Sequence, residues 1–421
     1  HVLTLRIHLD DTMRICFISR RFFPTISGMS VYALNLLREM VDLGHDMTML
    51  AQYRDDPEGK GVYGGGPPND VEDVTVIGME SKGEAENGDF ERDIDAIVDR
   101  VVAEHEAEPF DIIHAQYGYP PGLAALKASR KLGIPNVVSI QGGDGHWVGT
   151  KSKTLEAAMQ AVLGHADRLL IGSRSFAKEV RENHGTPLDR FTIVPGAVDV
   201  DRFAPRDKEA VGALQDSTAP TLLYHGRVDE RKGAVDMIDA VAKLPDSVRL
   251  IMSGIGPDVG AVEERIRTLG VEDRVEMTGY APYDTVPDIY RRGDVFVSPT
   301  YAEGFSNTIL EAMASGVPIV STETVGVVDC LRDEDNALLV SPGDPDGLAE
   351  ALYRMVENDD LRTRLAEDAL AECRSTYAWS VIARQIADIY RDIRGTEPDT
   401  SWSLPDGPVD RCIYHEKPHL L

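Results

Sequence analysis

The segment VFVSPTYAEGFSNTILEAMASGVPIVST, residues 295–322, holds in one pass the unit from which the fold is built. VFVS is a short unbroken run of apolar residues, as expected of a strand buried on both faces. TYAEG reads as a turn. A helix is expected from near Ser306, and a second apolar run, PIVST, follows it. Strand, helix and strand in this order imply a right-handed crossover and a parallel sheet. Two carboxylates, Glu303 and Glu311, stand eight positions apart across the strand–turn–helix junction.

The same alternation runs the length of the 421-residue chain. In the first half the strand-like runs are RICFIS, DMTML, VTVIG, DIIHAQ, NVVSIQ, RLLIGS and FTIVPG. In the second they are TLLYHG, VRLIMSG, VEMTG, VFVSPT, PIVST and ALLVSP. Helical patterns separate them. The expected fold is therefore α/β, with two doubly wound Rossmann-like domains facing across a cleft. The polar stretch DVDVDRFAPRDKEA marks the seam. The first domain is expected over 13–200, joined by a final helix at 377–393, and the second over 206–376. Residues 1–12 and 395–421 show no periodic pattern and are expected as extensions without fixed structure. The glycine- and proline-rich loop at 51–70 is expected to move.

Composition narrows the function. A net charge of −28 disfavours nonspecific binding to nucleic acid or anionic lipid. The acids are spread along the chain, and only eleven of the 43 basic residues are Lys. This pattern suggests a protein kept soluble in high salt. The four cysteines are scattered with no CxxC pair, which favours a reducing, cytoplasmic setting over a zinc ribbon or disulfide framework. No run approaches the length of a membrane-spanning helix. Asp-x-Asp triplets at Asp93/Asp95, Asp199/Asp201 and Asp344/Asp346 arise freely in so acidic a chain, and no metal site is assigned.

Ligands of open α/β sheets sit at the carboxyl ends of strands. HGRVDERKG, residues 225–233, places Arg227 and Lys232 between a strand end and a helix expected near Gly233, which together make an anion site. SGIGPD brings Gly256, whose missing side chain would let a ligand approach. TGYAPYDTV brings Gly279 and Tyr280, where backbone groups could meet a nucleobase edge. At the opening segment Gly304 permits a tight turn, and Ser306 can cap the helix. The N–H groups of Phe305, Ser306 and Asn307, with Thr308 beside them, suit oxygens of a sugar or phosphate. Glu311 follows Asn307 by four residues and shares its helix face. Carboxylates at these two depths can each accept hydrogen bonds from a sugar's hydroxyls.

EGFSNTILEAMASGVPIV, preceded by HGRVDERKG and TGYAPYD, resembles the retaining family 4 glycosyltransferases of the GT-B fold. The likeness runs from about Met13 to Ile393 and is most specific between Leu222 and Pro342. It implies a nucleotide diphosphate sugar as donor substrate, held by the second domain, with no separate cofactor. It implies that Arg227 and Lys232 meet the diphosphate, Glu303 the transferred sugar and Glu311 the ribose. It implies that the final helix crosses back onto the first domain. It also implies that the leaving phosphate oxygen takes the acceptor's proton on the same face, so that Glu303 acts by positioning.

The first half follows the family less closely. PTISGMSVYALNLL resembles the family's glycine-rich loop, but Ser27–Gly28 replaces two adjacent glycines, so only Gly28 carries over. In SIQGGDGHW, Gln141 stands where many relatives place a histidine, and it cannot accept a proton at neutral pH. Asp144, or His146, is then the candidate for a polar role near the acceptor. The acceptor is expected to be a sugar, a glycan, a lipid-linked sugar or a small molecule, the lipid-linked case implying peripheral contact with the inner face of a membrane. A phosphorylase or nucleotide-sugar hydrolase of the same fold, and a non-catalytic nucleotide-sugar-binding protein, are the alternatives.

Overall fold

The computed structural model describes residues 12–25, 27–54, 65–207 and 211–417. The upstream segment, save Thr12, and the centre of the loop at 51–70 lie outside them. The chain divides into two compact units. The first comprises residues up to Gly172, Phe176–Val194 and the chain from Ala383 on; the second comprises Ser173–Ser175 and Pro195–Ile382.

The first unit is built on seven parallel strands: β1 (Arg14–Ser19), β2 (Asp46–Tyr53), β3 (Val74–Glu80), β4 (Ile112–Gln116), β5 (Asn136–Ile140), β6 (Arg168–Ile171) and β7 (Phe191–Ile193). Their order is β3-β2-β1-β4-β5-β6-β7, so the winding reverses between β1 and β4. Phe17 of β1 is level with Met49 of β2 and His114 of β4.

The second unit has six parallel strands: β8 (Thr221–His225), β9 (Arg249–Ser253), β10 (Val275–Gly279), β11 (Val295–Ser298), β12 (Ile319–Thr322) and β13 (Leu338–Val340). The order β10-β9-β8-β11-β12-β13 puts the reversal between β8 and β11. All thirteen strands lie on the apolar runs quoted above. Side chains of a strand alternate between faces, and both faces are buried along the inner strands, whereas the edge strands β3, β7, β10 and β13 are only partly buried. Leu222, Tyr224, Val295 and Val297 join one core cluster, while Leu223 and Phe296, the residues between them, join the other. Each such side chain contributes about 1.5–3 kcal/mol by leaving water. That is why an unbroken apolar run, and no alternating one, marks these strands.

The helix Trp379–Ile393 starts in the second unit and ends in the first. Within the first, Tyr390 Oη lies 2.5 Å from His114 Nδ1, and Gln385 Nε2 donates to the Ile193 carbonyl at 3.0 Å.

The tail differs from expectation. Residues 395–417 lie against the first unit instead of fraying. Trp402 is buried beneath the Arg130 guanidinium, 4.0 Å from the ring centroid. Asp399 pairs with His165 at 2.8 Å, Asp410 accepts the Lys153 N–H at 2.8 Å, and Tyr414 and His415 are buried. Separate anchors hold this segment, and they leave no periodic signature in the sequence.

Candidate active site

The carboxyl ends of β8 and β11, either side of the reversal, carry Arg227, Lys232, Glu303 and the helix that holds Glu311, while Gly256 follows β9 and Gly279 and Tyr280 stand at the end of β10. Three strand-end turns interlock there through their backbones. Gly226 N–H donates to Ser253 C=O at 3.0 Å, Val228 N–H to Ile255 C=O at 3.0 Å, and Gly254 N–H to Gly279 C=O at 2.8 Å. Gly254 has φ 148°, and a Cβ on it would stand 1.7 Å from the Gly226 oxygen. A Cβ on Gly256 would stand 2.0 Å from the Val228 oxygen. Gly256 thus makes room for the chain's own backbone, which corrects the expectation that it does so for a ligand. Gly279 faces open space, and Tyr280 beside it is exposed.

Neither candidate cation stands alone. Arg227 Nε is 3.2 Å from Asp229 Oδ2, which also takes Arg231 Nη2 at 3.0 Å. Burial pushes the Asp229 pKa up. The Arg231 hydrogen bonds and the Arg231 and Arg227 charges outweigh it, so the net shift is downward and Asp229 stays ionised. Lys232 Nζ is 2.6 Å from Glu303 Oε1. Backbone ties set that contact: Tyr301 N–H donates to Arg231 C=O at 2.9 Å and Glu303 N–H to Val325 C=O at 3.0 Å. The expected helix begins at Ala234, after a tight turn over Glu230–Lys232. Three cations against two carboxylates leave this corner with a net charge of about +1 by that count.

The helix Asn307–Ala314 opens at the same corner. Its first N–H groups have no intrahelical acceptor. Ser306 occupies the N-cap position without a capping bond, and its Oγ lies 3.2 Å from Thr308 Oγ1. Gly304 C=O accepts from Ser173 Oγ at 3.3 Å. The Phe305 ring, 5.7 Å from that of Tyr377 and against Gly196, packs into the core.

Glu311, one helical turn deeper, is buried. Its Oε2 lies 2.8 Å from Tyr290 Oη, which is 3.0 Å from the Thr308 carbonyl. One hydroxyl proton cannot serve both acceptors. A protonated Glu311 donating to Tyr290 Oη, with Tyr290 donating to Thr308 C=O, satisfies all three. Burial raises the Glu311 pKa from 4.5 to about 7, against the smaller pull of Tyr290 and Arg202. His225, edge-on to Tyr290, is pushed down by burial to about 4 and is neutral.

Gly28, Gln141 and Asp144 belong to the first unit. Gly28 opens the helix Gly28–Asp42 after β1, with Ser27 capping the Ser30 N–H at 3.2 Å. Gln141 Oε1 accepts from Gln116 Nε2 at 2.9 Å, and Gln116 in turn accepts from Ser19 Oγ at 2.8 Å. Asp144 is fully buried. It accepts the N–H groups of Gly118 at 2.7 Å, Gly142 at 2.8 Å and Gln141 at 3.2 Å. Its carboxylate is thus engaged in bracing the turns after β4 and β5, so the geometry gives it a positioning role. His146 pairs with Glu179 at 2.6 Å.

Among the described residues no group of three or more His, Cys, Asp or Glu side chains is gathered for a metal, and no helix is long and apolar enough to cross a membrane. The Asp-x-Asp triplets have backbone partners instead: Asp93 accepts from Gly83 and Glu84, Asp199 from Asp201 and Arg202, and Asp344 from Gly347.

Sequence reasoning passed over Asp229 and Tyr290. Asp229 is signalled only by being an acid between the two chosen cations. Tyr290 lies far from Glu311 in sequence and carries no local signal.

Two doubly wound parallel sheets, with a cationic corner and two carboxylates at one switch point, define a sugar-transferase architecture of the GT-B class. Two family descriptions match: Glycosyl transferase 4-like domain over 27–197 and Glycosyl transferases group 1 over 206–371. The chain belongs to the group 1 glycosyltransferases. It is similar to D-inositol 3-phosphate glycosyltransferase of Xylanimonas cellulosilytica, 28% identical over 316 residues, which are 69% of this chain and 73% of that protein. It is also similar to D-inositol 3-phosphate glycosyltransferase 2 of Catenulispora acidiphila, 26% identical over 86% of this chain and 89% of the relative. Sucrose-phosphate synthase from Thermosynechococcus elongatus shares the fold with a TM-score of 0.76 at 21% identity, over 90% of this chain and 98% of that one. HepE of Anabaena in complex with UDP-glucose shares it at 0.69 and 19%, over 90% and 100%.

Proposed function

We propose that the protein moves a hexosyl group from a nucleotide diphosphate sugar to a hydroxyl acceptor, with retention and without a metal ion. The observation that carries this reading is the Lys232–Glu303 pair beside Arg227, at the carboxyl ends of β8 and β11. Negative charge grows on the diphosphate as the anomeric bond breaks, and fixed cations stabilise it without reorganising. One charge pair at about 4 Å is worth on the order of 4 kcal/mol at an effective dielectric of ~20. A third of that is roughly tenfold in rate. In this reading Lys232 exchanges part of its contact with Glu303 for a phosphate oxygen, which leaves Glu303 a lone pair for a sugar hydroxyl. Glu311 takes the ribose hydroxyls. The fold likeness to a UDP-glucose complex supports this class of donor.

The test is transfer of radiolabelled sugar by the purified chain from UDP-, GDP- and ADP-sugars, with the anomeric configuration of the product read by NMR. Lys232→Ala or Arg227→Ala is expected to lower kcat by roughly 10². Activity is expected to survive EDTA. Near-native turnover in both variants would refute the phosphate role. Inversion, or a strict need for a divalent ion, would refute the mechanism.

A further inference from the structure

Tyr290 has one hydroxyl proton and two acceptors within reach. Its Oη stands 2.8 Å from Glu311 Oε2 and 3.0 Å from the Thr308 carbonyl. Were Glu311 ionised here, one of those two contacts would hold no proton. Both are at hydrogen-bond length, which is the arrangement of the protonated acid. The Tyr290 ring cannot swing away to relieve a conflict. It is fully buried, edge-on to Phe203 and His225 and tilted against Phe296. Its hydroxyl proton can still turn.

That turn lets Tyr290 serve Glu311 in either state. The hydroxyl accepts from the acid, or it swings from Thr308 and donates to the carboxylate. The Thr308 carbonyl loses little, because it lies in the first turn of the helix Asn307–Ala314, where the Ala312 N–H is its intrahelical partner.

The titratable and charged groups around the pair come from the elements packed on it. His225, at the end of β8, is kept neutral by burial. Cys373 lies against the Leu310 carbonyl, and burial pushes its thiol up to about 12. Arg202, in the segment before β8, favours the carboxylate, but burial favours the acid more strongly. A ribose diol alters this balance. It brings two O–H donors, and a carboxylate can accept both, whereas the acid has one oxygen committed to donating. Glu311 keeps 7% of its surface exposed, which leaves an edge for such a ligand to reach.

We infer that Tyr290 is a positioning residue for Glu311, and that the pair gives up one proton to solvent as the donor's ribose binds. The proton leaves Glu311, the Tyr290 hydroxyl turns to the new carboxylate, and the ribose hydroxyls take its remaining lone pairs. This rests on the placement of the ribose in the reading above and adds the proton that the ribose displaces.

The test titrates UDP-, GDP- and ADP-glucose calorimetrically into the full chain between pH 6 and pH 9, in buffers of low and high ionisation enthalpy. Their diphosphate is a diester with no group that titrates in this range, so the protons exchanged are the protein's. For the donor that binds, affinity is expected to rise about tenfold from pH 6 to pH 8. About one proton should be released at pH 6 and almost none at pH 8. Glu311→Gln should abolish both effects. Tyr290→Phe deprives the carboxylate of its donor, so the midpoint of the affinity profile should move up by about half a pH unit or more. A merely structural role would lower affinity by one factor at every pH and leave the midpoint in place. An unmoved midpoint would overturn the inference. So would weaker binding of the 2′,3′-dideoxyribose donor together with no proton release by the ribose donor, and that result would spare the ribose placement. Equal binding of the two donors would remove the ribose from Glu311 and the inference with it. Should no donor bind, the transferase reading fails instead, and a carbon-13 NMR titration of the Glu311 carboxyl in the ligand-free chain judges the pair. A midpoint near 7 that rises in Tyr290→Phe upholds it, and a wild-type midpoint below about 5 overturns it.

Discussion

Glu311 offers the sharpest test of the site, because its surroundings set function against stability. Burial raises its pKa from 4.5 to about 7. Below the lower value both the folded and unfolded chains hold the proton. Between the two values the unfolded chain ionises first, so stability falls as pH rises through this window and levels off above it. A shift of 2.5 units at 1.36 kcal/mol each gives about 3 kcal/mol. Glu311→Gln keeps the shape of the protonated acid and removes this loss. Relative to wild type, the variant is expected to gain about 3 kcal/mol of stability between pH 4.5 and pH 8. The assay is urea denaturation of both proteins at pH 5 and pH 8, where the difference of differences cancels every other titrating group. Calorimetry with the preferred nucleotide forms the second half. Ribose hydroxyls donate best to a carboxylate, so Glu311→Gln is expected to bind the nucleotide at least tenfold more weakly at pH 8. A stability difference identical at both pH values would refute the argument about burial. Unchanged affinity would remove Glu311 from the ribose.

Three further outcomes are expected. Asp144→Ala strands one buried and two part-buried N–H groups and should destabilise the first unit by about 3 kcal/mol, read from the urea midpoint; a neutral result would contradict the bracing role. Trp402→Ala should cost about 3 kcal/mol and open residues 395–417 to limited proteolysis; an uncut tail would show that its other anchors suffice. Because the acids are dispersed, the melting temperature should climb from low to molar KCl as repulsion is screened, and a steady fall would contradict the reading of the charge pattern.

How far the sequence could be read depended on the kind of interaction. The inner strands were legible because each is an apolar run buried on both faces, and residues such as Leu222 and Leu223 need no partner to announce that. Arg227, Lys232 and Glu303 were legible as types at loop positions, and Glu311 as an acid one turn into a helix. Their pairing was not: the Lys232–Glu303 contact depends on backbone ties between distant turns, and Tyr290 reaches Glu311 only through the packing of two helices. Gly256 was misread for a related reason, since a glycine's missing side chain can admit a ligand or another stretch of chain. The tail escaped because Trp402, Asp399 and Asp410 act one at a time, at irregular intervals.

The turns at Gly226, Gly254 and Gly279 behave as one rail. A side chain added at Gly254 would be driven into the peptide that positions Arg227, so a change in one loop is passed to the others as a backbone shift. If the donor sits where proposed, substrate choice is expected to vary through what projects from the rail, above all the exposed Ile255 and Tyr280. Under the proposed function, libraries that vary those two positions should retune the donor, whereas a library at Gly254 should mostly yield unfolded chains.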